Sequence, residues 1–126
     1  MIDHMTFRVR NLEATRAFYV AALAPLGYRL GHEGEHEGIR MLGLVQGEKS
    51  DTWFIEEPAH PSGPTHLAWG AASRAAVDAF YEAAMANGGR DNGPPGLRPH
   101  YHASYYGAFV LDPDGNNVEA VCHLPE

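Results

Sequence analysis

The sequence predicts an α+β fold: two βαβββ modules that form an open, cup-shaped mixed sheet with the helices on its outer face. The first observation behind this prediction is that "IDHMTFRV" (2–9) and "PTHLAWGA" (64–71) each carry a histidine early in a strand-like alternation. The second is that "AFYVAALA" (17–24) resembles "AFYEAAMA" (79–86). One offset of 62 residues relates both pairs of segments. A constant offset of this kind indicates two copies of one supersecondary unit.

The two copies predict a single domain covering residues 1–126, with module 1 at about 1–57 and module 2 at about 64–126. The chain has 126 residues and is 44% hydrophobic, which is enough apolar material for one core. A short proline-rich segment, "EPAHPSGP", separates the copies. Because this linker is short, the halves are expected to pack as one domain.

The first module opens with a strand that has two different faces. The apolar face carries Met5, Phe7 and Val9, and the opposite face carries His4, Thr6, Arg8 and Arg10. A helix is predicted over 12–24, where apolar residues recur at helical spacing after Asn11, a suitable N-cap. Three strands are predicted next, at 28–32, 38–46 and 52–57.

The second module repeats this order. A strand is predicted at 65–70 and a helix at 73–87, with Ser73 as its N-cap and Gly88–Gly89 as its stop. Three strands are then predicted, at 97–102, 105–111 and 116–123.

Composition excludes several classes of function. A formal charge of −7 and a pI near 5.5 argue against a nucleic-acid partner, because nothing would offset repulsion by phosphate. No segment approaches the roughly 18 apolar residues of a membrane span, and "MIDHMTFRV" lacks a signal-peptide pattern. The single cysteine, Cys122, cannot form an internal disulfide and is expected to pack in the core. A cytoplasmic protein without a membrane partner is therefore expected.

A candidate metal site follows from the polarity of the strands. After the turn "DPDG", Glu119 alternates with Val118, Ala120 and Cys122, so it faces away from the helix. If the helices cover the apolar faces, His4, His66 and Glu119 all face one concavity. Two imidazoles and a carboxylate suit a divalent ion such as Fe²⁺, Mn²⁺, Zn²⁺ or Ni²⁺, with positions left open for a substrate. Taken alone, His4 would more often be an ordinary strand histidine.

Three stretches together resemble the vicinal oxygen chelate superfamily, which includes glyoxalase I, bleomycin-resistance proteins and extradiol dioxygenases. They are "IDHMTFRVRNLEATRAFYVAALAPLGYRL", "PTHLAWG" and "AFVLDPDGNNVEAVCH". The resemblance implies paired βαβββ modules that form a cup. It also implies metal ligands on the first strand of each module and on the last strand of one, positions that match His4, His66 and Glu119. Related single-domain proteins pair modules from different subunits, so the resemblance implies a homodimer.

The sequence departs from the four-ligand pattern that the resemblance to glyoxalase I implies. Aligning "DTWFIEEP" on "GNNVEAV" places Trp53 or Phe54 where a fourth carboxylate would be expected. The constant offset would instead point to Glu57, and Glu56 stays an alternative. A set of three ligands resembles the dioxygenase pattern more than the glyoxalase I pattern.

Other candidate residues lie at the predicted rim of the cup. In "RPHYHASYYGAF" (98–109), His100 or His102 could act as an acid or base, and Tyr105 or Tyr106 could donate a hydrogen bond. The alternative is a tyrosine-rich packing segment. Arg8 either holds an anionic group or only neutralises an acidic neighbour. The histidines and glutamates of 32–37 are interpreted as a solvated hairpin loop.

Two functions are consistent with these residues. One is a metalloenzyme, lactoylglutathione-lyase-like or extradiol-dioxygenase-like, in which one divalent ion per site binds the vicinal oxygens of a small molecule. The other is a metal-free protein of the bleomycin-resistance type that sequesters a small aromatic ligand.

Overall fold

The structure, a computed structural model, describes all residues from 1 to 126. The first module contains β1 (Met5–Val9), α1 (Leu12–Leu23) with a 3₁₀ turn at Ala24–Leu26, β2 (Arg29–His36), β3 (Ile39–Gln46) and β4 (Lys49–Glu56). The second contains β5 (His66–Gly70), α2 (Arg74–Ala86), β6 (Arg90–Leu97), β7 (Tyr106–Leu111) and β8 (Asn117–Cys122). The two βαβββ modules predicted from the repeat are confirmed.

The strands form two four-stranded mixed sheets, in the orders β1-β4-β3-β2 and β5-β8-β7-β6. In each sheet the first strand pairs in parallel with the last strand of its module, and the other pairs are antiparallel. No strand of one sheet is hydrogen-bonded to a strand of the other. Hence β1 and β5 are edge strands, and neither sheet closes into a barrel.

Both predicted helix caps are confirmed. The Asn11 side chain accepts a hydrogen bond from the Ala14 amide at 3.0 Å, and Ser73 Oγ accepts one from the Ala76 amide at 3.1 Å. Each cap satisfies an amide that has no partner within the first turn of its helix. Neither helix is long and apolar enough to cross a membrane.

Strand β6 was placed wrongly by the sequence prediction, at 97–102 instead of Arg90–Leu97. Its segment "DNGPPGL" contains residues that are rare in strands, since proline donates no ladder hydrogen bond. The strand is nevertheless tolerated because it lies at the edge of its sheet, where its pairing is interrupted at two places. Residues 98–105 form turns, with the Arg98 amide donating to the Tyr105 carbonyl at 2.8 Å.

Strand β2 is longer than predicted and includes most of the acidic segment that was interpreted as a loop. Its outer part is exposed, and the turn lies only at Glu37–Gly38. The expectation that these histidines and glutamates are solvated is confirmed, although they lie mainly on a strand.

The core lies between the sheets and the two helices, which contact each other. On β8, the predicted apolar face is buried in this core, including Cys122 at 1% exposure. On β1 and β5, Val9 and Trp69 are buried on the helix side. The opposite side of each sheet is called the inner face below. It carries Thr6, Trp53 and His32 in the first sheet and Ala68, Glu119 and Phe109 in the second.

A buried hydrogen bond joins the first helix to the second module. The Tyr19 hydroxyl donates to Asp112 Oδ2 at 2.6 Å, and both residues are buried. Burial, and then the charge of Asp112, raise the pKa of Tyr19 well above its ordinary value, so the hydroxyl stays protonated as the donor.

Tyr19→Phe should therefore destabilise the protein by about 1–3 kcal/mol, because it removes a donor from a buried carboxylate. Urea unfolding followed by circular dichroism measures the loss. Tyr28→Phe is the matched control, since its hydroxyl lies 3.1 Å from Asp51 at a partly exposed position. Equal stability of Tyr19→Phe and the unmodified chain would contradict this role.

Candidate metal centre

The centre of the candidate site is a buried carboxylate on the inner face of the second sheet. Glu119 lies in β8 and is 1% exposed. It is paired with Ala68 of β5 on one side and with Phe109 of β7 on the other. A carboxylate so deeply buried requires hydrogen-bond donors or a cation at both oxygens.

Two side chains supply those partners. His66, the first residue of β5, has its Nε2 2.8 Å from Glu119 Oε2. The Tyr105 hydroxyl donates to Glu119 Oε1. Tyr105 is a donor at neutral pH, as an ordinary phenol is. Burial, and next the hydrogen bond to Glu119, raise the pKa of Tyr105 far above its ordinary value, so it stays a donor in alkaline solution as well.

Gly107 makes the approach of Tyr105 to Glu119 possible. A Cβ at this position would lie 3.2 Å from Tyr105 Cε1 and 3.3 Å from Glu119 Oε1. These distances are tighter than ordinary van der Waals contact between side chains. The glycine therefore leaves the space in which the phenol and the carboxylate meet.

Within the single chain, His4 does not join His66 and Glu119. It precedes β1 in the first module, and its Nδ1 lies 2.6 Å from Asp3 Oδ1. Nowhere in the chain do three or more His, Cys, Asp or Glu side chains converge as a metal-binding group. One chain thus brings together two of the three predicted ligands.

The donor atoms of these two residues suit a divalent ion. The 2.8 Å between His66 Nε2 and Glu119 Oε2 matches the spacing of neighbouring ligands that each lie about 2.0–2.2 Å from one ion. An imidazole nitrogen with a carboxylate oxygen is also a common donor pair for first-row metals.

Strand register identifies the counterpart of Glu119 in the first module. Glu119 is opposite Ala68, two residues after His66; the equivalent position opposite Thr6, two residues after His4, is held by Trp53. Of the two residues that sequence alignment left open for this position, Trp53 is the one that occupies it.

Of the two glutamates considered as a fourth ligand, Glu56 is the last residue of β4 and Glu57 follows it. Glu56 is paired with Val9, its Oε2 accepts a hydrogen bond from the Leu12 amide at 2.8 Å, and it lies 3.5 Å from Arg40. The backbone amide of Glu57 donates to the Val9 carbonyl at 2.9 Å. Glu56 therefore serves the N-terminus of α1.

The candidate acid–base histidines lie in the turns between β6 and β7. His102 Nε2 is 2.8 Å from His123 Nδ1, and the Ser104 amide donates to His102 Nδ1 at 3.1 Å. The rings of His102 and His123 both meet Tyr105 edge-on, with centroids 5.5 and 5.2 Å away. His100 packs on Tyr101 at 4.3 Å.

Arg8 lies against the linker between the modules. Its Nε donates to the His60 carbonyl at 2.8 Å, and its backbone amide donates to Ser62 Oγ at 2.9 Å. These contacts hold the linker along the open edge of β1.

Sequence reasoning missed Gly107 and the pairing of His123 with His102. A signal for His123 was present, because the alternation of β8 puts residues 119, 121 and 123 on one side. Nothing in the sequence indicated that residues 98–105 would turn back towards the end of β8.

Comparison with known proteins supports this architecture. The model of the Glyoxalase/Bleomycin resistance protein/Dioxygenase superfamily matches residues 1–120. No curated protein matches the chain.

Several solved structures are similar over nearly the whole chain. A glyoxalase/bleomycin resistance protein from Albidiferax ferrireducens is 27% identical, with a TM-score of 0.70 and coverage of 97% of this chain and 98% of the other. A glyoxylase/bleomycin resistance protein/dioxygenase domain from a Frankia species is 16% identical, with a TM-score of 0.73 and 98% coverage of both chains. Glyoxalase I from Zea mays is 20% identical, with a TM-score of 0.74; the match covers 99% of this chain and 45% of the maize chain.

Proposed function

Because the chain belongs to the glyoxalase/bleomycin resistance protein/dioxygenase superfamily, we propose that it is a divalent-metal-dependent enzyme of the glyoxalase or dioxygenase type. Its substrate is a small molecule with vicinal oxygens. The observation that carries the proposal is the buried Glu119 carboxylate with His66 Nε2 2.8 Å from its Oε2. A purely structural glutamate on a strand would more often be exposed to solvent.

His66, Glu119 and the His4 of a partner subunit would hold the ion. When bound, the ion supplies Lewis-acid polarisation of the substrate oxygens, or activation of O₂ if it is iron. His4 belongs to the first module and the other two ligands to the second, so a homodimer that joins unlike modules would bring the three together.

Tyr105 acts on Glu119 as a positioning residue. Its hydroxyl holds Oε1, which leaves Oε2 directed towards His66. Since the pKa of Tyr105 is raised, the phenol stays protonated and restrains the carboxylate as a hydrogen-bond donor. Gly107 preserves this contact by leaving the space for it.

His102 and His123 provide a proton-holding pair beside Tyr105. Because the Ser104 amide donates to His102 Nδ1, the neutral His102 ring carries its proton on Nε2 and donates it to His123 Nδ1. The His123 proton then lies on Nε2, free to be exchanged with a bound molecule. We also propose an acid–base role for His102 and for His100 in the same turn, and an anion-holding role for Arg8.

A second function, metal-free sequestration of a small aromatic ligand, is favoured by one observation. In the single chain, His66 and Tyr105 already satisfy both oxygens of Glu119, so the carboxylate is stable without a cation.

Catechol binding separates the two functions. Metal-loaded protein should bind catechol in titration calorimetry, whereas chelator-stripped protein and metal-treated Glu119→Gln should bind it at least tenfold more weakly, because the vicinal oxygens lose the ion. Equal affinity with and without metal would support the sequestering protein instead. In iron-loaded protein, oxygen uptake with catechol would favour the dioxygenase branch.

A further inference from the structure

One row of residues crosses each sheet on its inner face. In the first sheet the row is Thr6, Trp53, Gly43 and His32. In the second sheet the equivalent row is Ala68, Glu119, Phe109 and Gly93. In each row a large aromatic side chain lies next to a glycine on the neighbouring strand: Trp53 next to Gly43 in the first sheet, and Phe109 next to Gly93 in the second. In the first sheet it is Trp53 that stands where the second sheet has Glu119.

The indole of Trp53 lies flat across the neighbouring strand. Gly43 is its partner on β3, and a Cβ there would lie 2.9 Å from the indole Cζ3. At the far side of Gly43, the His32 ring is 5.5 Å from the indole and tilted by 56°. The indole Nε1 donates to the Ser50 carbonyl at 3.3 Å. One side of the indole thus packs on the backbone of Gly43, and a hydrogen bond to the Ser50 carbonyl fixes its edge.

Phe109 in the second sheet is a matched case with a different outcome. It also packs on a glycine, since a Cβ at Gly93 would lie 3.1 Å from Phe109 Cδ2. The guanidinium of Arg98 lies over its ring at 5.4 Å and is held there by the Pro94 carbonyl at 2.7 Å. The chain therefore covers this aromatic ring with its own cation.

No such cover exists for Trp53. No cation lies over the indole, and its one aromatic neighbour is the tilted imidazole of His32. Trp53 is only partly buried, whereas the residues before and after it in β4, Thr52 and Phe54, are buried on the helix side. A large, immobilised aromatic face left partly open on the inner face is available to a second flat ring.

We propose that Trp53 is a stacking platform that selects a planar aromatic ring in the small molecule bound at this site, and that Gly43 is required for the indole to lie flat. This inference deepens the proposed function and depends on it only for the placement of the ligand's oxygens at the ion. Thr6, opposite Trp53, is two residues after His4 on the same side of the chain. The platform therefore belongs to the module that supplies His4.

The test uses 2,3-dihydroxynaphthalene, a flat diol, and trans-1,2-cyclohexanediol, a diol that cannot stack. Binding of each is measured by titration calorimetry, once with metal-loaded and once with chelator-stripped protein. The unmodified chain should prefer the flat diol in both states. Trp53→Leu should lower its affinity for the flat diol by about tenfold and leave that for cyclohexanediol unchanged, since an aromatic pair contributes about that factor.

Two further variants test the geometry. Trp53→Phe should retain most of the preference, because it keeps a ring at the same position. Gly43→Ala should lose much of it although Trp53 is still present, because the new Cβ displaces the indole. Trp69→Phe, which alters the other, buried tryptophan, is the control and should leave the preference intact.

The outcomes separate this proposal from the proposed function. If Trp53→Leu binds the flat diol as tightly as the unmodified chain in both states, the platform is wrong, whatever the metal content. If the chain binds no metal but Trp53→Leu still loses the ring preference, the platform stands and the metalloenzyme fails.

Discussion

Protein purified without chelators should hold close to one divalent ion per chain, and His66→Ala should lose it. The reason is the 2.8 Å approach of His66 Nε2 to Glu119 Oε2 on the inner face of the second sheet. Removal of a ligand should cost more than the roughly 10–100-fold in affinity that loss of an outer-shell partner costs. Elemental analysis of dialysed protein gives the stoichiometry directly.

Two variants make the result specific. Glu119→Gln should lose the ion as His66→Ala does, because an amide is a much weaker ligand than a carboxylate. His36→Ala is the matched control: it removes an exposed histidine of β2 and should keep the ion. Stoichiometric metal that survives in His66→Ala would refute the assignment of this residue as a ligand.

The sequence was sufficient for the architecture because its signals were local and repeated. One offset relates the two histidine-bearing strand segments and the two helix segments, and it predicted both modules. The caps Asn11 and Ser73 were readable because an N-cap acts on amides two or three residues away. Successive side chains of a strand point to opposite faces, and this rule alone predicted that Glu119 points away from the apolar side of β8.

The sequence failed where long-range pairing overrides local preference. β6 contains Pro94 and Pro95 and was missed because its edge position, which tolerates them, depends on the order of strands in the sheet. The contact of Tyr105 with Glu119 depends on a turn that folds back over β8 and on space left by Gly107. Neither feature has a periodic signal.

The predicted ligand set also requires His4 to lie beside His66 and Glu119, and a single chain does not bring the three together. His4 precedes β1 in the first sheet, whereas His66 and Glu119 lie in the second, and the sheets share no strand pairing. β1 and β5 each have an open edge, although part of β1 is covered by the linker through the bond from the Ser62 amide to the Arg8 carbonyl. A two-fold dimer that places the first module of one chain beside the second module of its partner would unite the ligands and make two equivalent sites.

Subunit exchange should therefore restore metal sites between two inactive variants. In a mixed dimer of His4→Ala and Glu119→Ala, both lesions fall in one site, and the other site receives an intact residue from each chain. Random exchange of equal amounts should recover about a quarter of the metal sites, because half of the dimers are mixed and each has one intact site. If each chain instead built its own site, every site would carry one lesion and no metal would return.

His66→Ala mixed with Glu119→Ala is the control: both residues lie in the same module, so each site of the mixed dimer keeps one lesion and recovery should be zero. Native mass spectrometry confirms that exchange has occurred. If the subunits of His4→Ala and Glu119→Ala exchange fully and no metal sites return, the shared site is refuted, and the pairing of His66 with Glu119 still stands.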